Sequence, residues 1–136
     1  FRSTPLGAWD LLFSLLALAG IGIAHAADSE LAAFMRTNEA RAARGEPKLR
    51  LLETGLWRHS RHPNYFGEQL FWWSVAGFGW AVGEPWVAVG TLFNSAVLAV
   101  VTVMTEKRML AVPERRAVYE AYRQRTSVWL PWPRRR

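Results

Sequence analysis

The stretch that decides the fold is QLFWWSVAGFGWAVGEPWVAVGTLFNSAVLAVVTVM, residues 69–104. Two apolar blocks, Gln69 to about Val82 and Pro85 to Met104, flank the connector Gly83-Glu84-Pro85, whose glycine and proline favour a turn. The second block holds about 20 residues, which is enough to span a bilayer as a helix, whereas the first holds only about 14. The stretch predicts a membrane-inserted helical hairpin whose first arm is tilted or re-entrant.

Another apolar block lies upstream, from Leu6 to Ala27, and its only charged residue is Asp10. It is also long enough to span a bilayer. The fold class predicted is therefore all-α: a polytopic membrane helical bundle with about three membrane-inserted segments. We expect residues 1–136 to form a single membrane domain. Because the chain opens with Phe1 inside an apolar stretch, we further expect it to be the C-terminal half of a longer protein.

Basic residues indicate how the bundle is oriented. Seven Lys and Arg lie between residues 28 and 68, nine lie from residue 106 onwards, and none lies in the connector. The positive-inside rule places both basic segments in the cytoplasm and the Gly83–Pro85 turn on the opposite side. Eight Trp and a net charge of +6 agree with a membrane location. Trp129 and Trp132 are predicted to anchor the C-terminal segment at the membrane interface.

The two polar segments each predict a cytoplasmic helix. One runs from Asp28 to about Arg44 and is ended by Gly45-Glu46-Pro47. The other runs from Pro113 to Arg125, with proline as its first residue. Residues at i, i+3, i+4 and i+7 share one face of the first helix: Leu31, Phe34, Met35 and Asn38.

The chemistry is concentrated in RHSRHPNYFGE, residues 58–68. Pro63 predicts the start of a helix, and a helix N-terminus favours an anion. Arg58 and Arg61 stand just ahead of that N-terminus, where two guanidinium groups suit a phosphate. The alternative is that these cations only anchor the membrane segment, but that role would not explain why so many polar groups are concentrated in residues 58–68.

Two further residues of this stretch share a helix face because they are four apart: Asn64 and Glu68. Gly67 permits the close approach of a backbone or a flat ring. An acid at the depth of Glu68 is costly unless it has a partner, which makes it a functional candidate. A second cluster, around Glu106 and Arg108, returns to the same membrane face, where the alternative is a solvated basic tail on anionic lipid.

Two classes of site are disfavoured. The chain has no Cys, and its three His, at 25, 59 and 62, do not match a zinc-binding spacing, so we expect no metal. A basic chain could bind nucleic acid, but the long apolar blocks favour membrane lipids and a cofactor as partners.

The run from Gly55 to Glu68 resembles the signature of bacterial membrane proteins grouped with the steroid 5-alpha-reductase C-terminal domain. The ending is similar too, with Tyr119, Tyr122, Thr126-Ser127 and Pro131-Trp132. The resemblance covers most of residues 21 to 133 and departs from the family at Ala24, where an Asn is expected. It implies the bacterial inner membrane as the location, with the cofactor-binding loops facing the cytoplasm.

The resemblance further implies an NADPH-dependent reductase of an enone C=C in a steroid-like or isoprenoid lipid, a hydrophobic small molecule. This chain would be its cofactor-binding half, and the substrate-polarising acid and phenol would lie upstream. Tyr65 is the local candidate for a catalytic role, although its position suits cofactor contact better. The implied cofactor-binding residues are Asp28, Arg58, Arg61, His62, Asn64, Tyr65, Glu68, Glu106, Arg108, Tyr119 and Tyr122.

Two alternatives stay open. The isoprenylcysteine carboxyl methyltransferases share the Arg-His-Pro-x-Tyr-x-Gly pattern and a Tyr-rich tail, and they use S-adenosylmethionine. The combination of Asn64 with Glu68 favours the reductases. The second alternative is a non-enzymatic membrane module whose basic loops bind anionic lipid.

Overall fold

The computed structural model describes residues 5–134, and its regular structure is helical. The only β-type pairing in this range is an isolated parallel bridge between Ser60 and Ser127. The predicted all-α class is confirmed for these residues. The helices are α1 (Ala8–Ala43), α2 (Pro63–Ala81), α3 (Ala88–Ala111) and α4 (Pro113–Arg125), with 3-10 turns at Gly55–Arg58 and Pro85–Val87.

Helix α1 joins two segments that the sequence predicts separately, the first apolar block and the helix from Asp28. Residues 26–30 contain neither Gly nor Pro, so nothing local interrupts the helix. At 36 residues it is about 54 Å long, which exceeds the roughly 30 Å of a bilayer's hydrocarbon core. It ends as predicted: Gly45 has φ 71°, and the amides of Gly45 and Glu46 bond back to the carbonyls of Ala42 and Arg41.

Helices α1 and α2 touch through their backbones. A Cβ placed on Gly20 would lie 2.6 Å from the carbonyl oxygen of Gly67, and a Cβ on Gly67 would lie 2.6 Å from that of Gly20. Small residues of this kind allow helices to approach closely where no side chain intervenes. The sequence expectation for Gly67 is confirmed, and the partner is another backbone.

The predicted helical hairpin is present and consists of α2 and α3. Gly83 occupies the left-handed region at φ 82°, and Pro63 and Pro113 each begin a helix as expected. Polar contacts join the two arms: Thr91 Oγ1 donates to the carbonyl of Trp72 at 3.0 Å, and Gln69 Nε2 donates to Asn94 Oδ1 at 3.0 Å.

Two helical segments are long and apolar enough to cross a membrane, Ala8–Ala43 and Pro85–Ala111. Only 11% and 17% of their most apolar windows are buried, so they are not core helices. Helix α2 does not reach the same hydropathy, and the count of three inserted segments stays a prediction. Exposed apolar side chains cover α1 and α3, among them Leu11, Leu15, Leu18, Val89, Leu92, Phe93 and Val100.

Candidate functional site

The segment that carries Arg61 and His62 is held in place by the end of the chain. The amide of Arg61 donates to the carbonyl of Ser127 at 2.9 Å, and the amide of His62 donates to that of Val128 at 3.1 Å. The Ser60 side chain is completely buried, and its hydroxyl donates to the carbonyl of Trp129 at 2.7 Å. This non-local pairing fixes the backbone that carries the Arg61 and His62 side chains.

Tyr122 of α4 secures the same segment from the other side. Its hydroxyl donates to the carbonyl of Trp57 and lies 3.2 Å from that of Ser60. Burial raises the pKa of Tyr122 above its ordinary value, so it remains a proton donor. Trp57 in turn donates its indole N–H to the carbonyl of Ala27 at 3.1 Å. The 3-10 turn at Gly55–Arg58 is thereby bonded to both α1 and α4.

A buried ionic cluster lies at the centre of the site. The carboxylate of Glu106 in α3 faces three side-chain nitrogens. Its Oε1 is 3.2 Å from Arg61 Nε and 3.4 Å from His62 Nε2, and its Oε2 is 3.3 Å from Arg123 Nε. Arg61, His62 and Glu106 are each less than one-tenth exposed. Arg61 Nε and His62 Nε2 are not aligned for hydrogen bonds with Glu106, so the contact between Arg61 and Glu106 is mainly electrostatic.

The environment of His62 favours its neutral form. Burial lowers its pKa, and the nearby carboxylate of Glu106 offsets only part of that effect. Burial also raises the pKa of Tyr119 to about 12, assisted by the negative charge of Glu106. His62 stacks on Tyr65, with ring centroids 5.0 Å apart and planes inclined by 8°. At neutral pH the cluster therefore combines an uncharged imidazole with a protonated phenol.

A main cavity of about 490 Å³ opens above this cluster. Its apolar wall comes from α1, where Leu31, Phe34 and Met35 share the predicted face with Asn38. Asn38 exchanges two hydrogen bonds with the backbone of Leu49, which holds the loop after α1 over the cavity. The remaining polar lining includes Arg61, His62, Asn64, Tyr65, Tyr119, Tyr122, Lys48, Arg50 and Arg115.

A side cavity of about 350 Å³ adjoins the main cavity and shares Asn64 and Tyr65 with it. Asp28 and Glu68 line only this side. Asn64 Nδ2 donates to Asp28 Oδ1 at 3.0 Å, while Asn64 Oδ1 is buried without a partner among the described residues. Glu68 accepts a hydrogen bond from Asn94 at 3.1 Å. Asn64 thus carries an enclosed acceptor without a partner beside the place where the two cavities meet.

The structure gathers nine of the eleven residues implied by the resemblance around these cavities, with Glu106 beneath them. Arg58 and Arg108 are exposed and line neither cavity. Arg61 is occupied by Glu106, which sequence reasoning treated as a member of a separate cluster. Sequence reasoning placed Arg123 in the second cluster but did not select Lys48, Arg50, Trp57 and Asn94 as site residues. The only available signal for Asn94 was its polarity inside an apolar block.

The comparisons with known proteins give one match. Residues 2–126 match the model of the family described as "Protein of unknown function (DUF1295)". Members of this family are steroid 5-alpha-reductase-like, which agrees with the resemblance found in the signature. Searches of the curated proteins and of the solved structures give no significant match.

Proposed function

This chain belongs to the DUF1295 family, and we propose that it is a membrane-embedded NADPH-dependent reductase of an enone C=C in a steroid-like or isoprenoid lipid. One observation carries the proposal. Two cavities meet at Asn64 and Tyr65, with cationic side chains far from that junction and an acid–amide pair beside it. This distribution suits a ligand with phosphates at one end and a carboxamide at the other.

The cationic end is formed by Lys48, Arg50 and Arg115. These residues line the main cavity and, together with the single acid Glu114, a smaller adjoining one of about 340 Å³ that does not include Asn64. The hydrogen bonds between Asn38 and Leu49 place this end beside residue 38 of α1, whereas Asn64 is bonded to Asp28. Ten residues of helix separate these two points by about 15 Å. We assign the phosphates of NADPH to the cationic end.

The acid–amide end fits the nicotinamide and its ribose. The Oδ1 of Asn64 is enclosed and unpaired among the described residues, and a small movement of the side chain would let it accept a hydrogen bond from the carboxamide while Nδ2 stays bonded to Asp28. Glu68, held by Asn94, offers a second acceptor in the side cavity. When bound, NADPH would supply a hydride to the substrate. The apolar wall from Leu31 to Met35 would exclude water from the junction.

The membrane arrangement completes the proposal. Segments α1, α2 and Pro85–Ala111 would be inserted in the bacterial inner membrane, with the exposed apolar faces of α1 and α3 in lipid. The positive-inside rule puts both basic segments, and with them the cavities, in the cytoplasm, where NADPH is available. A hydrophobic substrate would approach from the surrounding lipid.

The test is ligand-dependent thermal stability of the full chain in detergent, because a ligand that binds only the folded state raises Tm. We expect a rise with NADPH and none with S-adenosylmethionine. Arg50→Ala should weaken NADPH binding on the order of tenfold, as expected for loss of a charge-assisted contact. Its matched control, Arg58→Ala, removes an exposed guanidinium outside the cavities and should leave binding unchanged.

Asn64→Ala should weaken binding of NADPH without affecting the cationic end. A Tm rise with S-adenosylmethionine alone would overturn the reductase and favour a methyltransferase of the isoprenylcysteine carboxyl methyltransferase type. If neither cofactor raised Tm while anionic lipid did, the result would contradict both enzyme hypotheses and support a non-enzymatic lipid-binding module.

A further inference from the structure

A third cavity lies beside the C-terminal segment, outside the cofactor site proposed above. This tail cavity has a volume of about 410 Å³ and lies between the end of α4 and the segment that follows it. Three arginines line it: Arg61, Arg123 and Arg125. Asp and Glu are both missing from its lining within residues 5–134. A cavity with this lining attracts an anion.

The arginines are incompletely neutralised. Glu106 faces both Arg61 and Arg123, and Glu53 faces both Arg125 and Arg134. Four guanidinium groups therefore share two carboxylates within the described chain, and two positive charges are left without a counter-charge. The side chains of Arg123 and Arg125 are 40% and 45% exposed, so their remaining N–H groups can reach a ligand.

Buried polar atoms in the same cavity also lack partners. Thr126 is only 4% exposed, and its hydroxyl oxygen has no hydrogen bond within residues 5–134. The Nε of Arg61 is likewise buried without an aligned acceptor. Buried hydroxyls and guanidinium groups are normally satisfied. Arg61 Nε faces Glu106 Oε1 at 3.2 Å, so the hydroxyl of Thr126 is the group for which a tetrahedral oxyanion would supply an acceptor.

The surroundings indicate which kind of anion. Val128, Leu130 and Trp132 line the tail cavity and are 41%, 66% and 66% exposed. Their backbone is fixed, since the amide of Trp132 donates to the carbonyl of His59 at 3.0 Å and Trp129 Nε1 donates to Thr102 of α3 at 3.0 Å. An apolar rim beside a cationic cavity, next to the end of a helix long enough to cross a membrane, matches the depth of lipid headgroups.

We propose that the tail cavity binds the phosphate group of an anionic phospholipid, with the acyl chains lying along Leu130 and Trp132. The guanidinium groups of Arg123 and Arg125 hold the phosphate oxygens, and the hydroxyl of Thr126 donates to one of them. This site is independent of the proposed reductase activity, although Arg61 forms part of the wall between the tail cavity and the main cavity.

The experiment measures binding of short-chain phosphatidylglycerol, short-chain phosphatidylcholine and inorganic phosphate to the detergent-purified full chain. We expect saturable binding of phosphatidylglycerol and at least tenfold weaker binding of the other two. Arg123→Gln should weaken it on the order of tenfold, as expected for loss of a charge-assisted phosphate contact. Arg108→Gln, an exposed arginine outside the cavity, is the matched control and should leave it unchanged.

Thr126→Val distinguishes lipid binding by the Thr126 hydroxyl from a contribution of that hydroxyl to stability. It removes a hydroxyl without a partner and keeps the shape, so the lipid-free Tm should stay the same or rise while lipid affinity falls severalfold. Unchanged affinity in Thr126→Val, or an equal loss in Arg108→Gln, would overturn the site in favour of diffuse charge attraction. Equal binding of inorganic phosphate would make it a free-phosphate site. Competition of NADPH with phosphatidylglycerol would make it part of the cofactor site.

Discussion

The backbones of Gly20 and Gly67 are in direct contact where α1 crosses α2. A Cβ added to either glycine would lie only 2.6 Å from the carbonyl oxygen of the other, so neither position has space for a side chain. Four residues along α1, the amide nitrogen of Ala24 is equally close to a Cβ on Gly67. This crossing sets the distance between Asp28 and Asn64, whose side chains bond just beyond it.

Gly67→Ala should therefore destabilise the fold, because the added methyl meets backbone atoms that cannot rotate away. Overpacking of this kind costs about 1–3 kcal/mol. The control is Gly22→Ala in the same α1, where an added Cβ meets nothing within 4 Å. Alanine is the better helix former by about 1 kcal/mol, so the control should be neutral or stabilising. Reversible unfolding in mixed detergent measures both, and similar losses in the two variants would contradict the contact.

Asn38→Ala should loosen the loop over the main cavity. The substitution removes both hydrogen bonds to Leu49 and leaves its backbone groups unpaired, at a cost of about 1–3 kcal/mol. Thr37→Ala is the control: its hydroxyl bonds only to the carbonyl of Ala33 in the same helix. Limited proteolysis of residues 45–52 should accelerate in Asn38→Ala and not in Thr37→Ala. Equal rates would show that the loop is held by other contacts.

Stability should fall in mild acid because of His62. Its folded pKa is lowered by burial, whereas the unfolded chain protonates near the ordinary value of 6.5. The unfolded state therefore takes up the proton first, and the free energy of unfolding decreases as pH falls below about 6.5. His62→Gln should flatten this pH dependence below about pH 6.5, measured as Tm. The exposed His59→Gln should retain it, and an unchanged slope in His62→Gln would contradict the assignment.

Tyr122→Phe should cost about 1–3 kcal/mol, because the carbonyl of Trp57 loses its buried donor. The loss should be measurable as a decrease in the free energy of unfolding. Tyr65→Phe is the comparison, since the Tyr65 hydroxyl has no hydrogen bond within the described chain and should be worth little to stability. A small effect at Tyr122 would mean that other contacts hold the Gly55–Arg58 turn, such as the bond from the Trp57 indole to the carbonyl of Ala27.

The elements that the sequence predicts best are those with local causes. Pro63 and Pro113 begin helices because proline lacks the amide that a first helical residue does not need. Gly45 and Gly83 end segments because they accept positive φ. The amphipathic face of α1 could also be predicted, because its residues follow the period of a single helix, about 3.6 residues.

Contacts between distant parts of the chain could not be predicted from the sequence. Nothing in residues 127–132 indicates that their carbonyls receive the amides of Arg61 and His62, because backbone pairing leaves no side-chain pattern. Arg61 and Glu106 were each selected as cofactor residues, but their ion pair depends on how α3 returns to the start of α2. For that reason the sequence predicts phosphate binding at Arg58 and Arg61, whereas the proposal made above from the cavities uses Lys48, Arg50 and Arg115.

The bonds between residues 60–62 and 127–128 also set an order of events during synthesis. A ribosome completes α1, α2 and α3 before it makes the residues that position Arg61 and His62. A nascent chain stopped before Ser127 would hold the long apolar helices and the Gly20–Gly67 crossing, but its site would lack backbone partners. Formation of the long helices and completion of the site are therefore separate steps, and the second waits for the last part of the described chain.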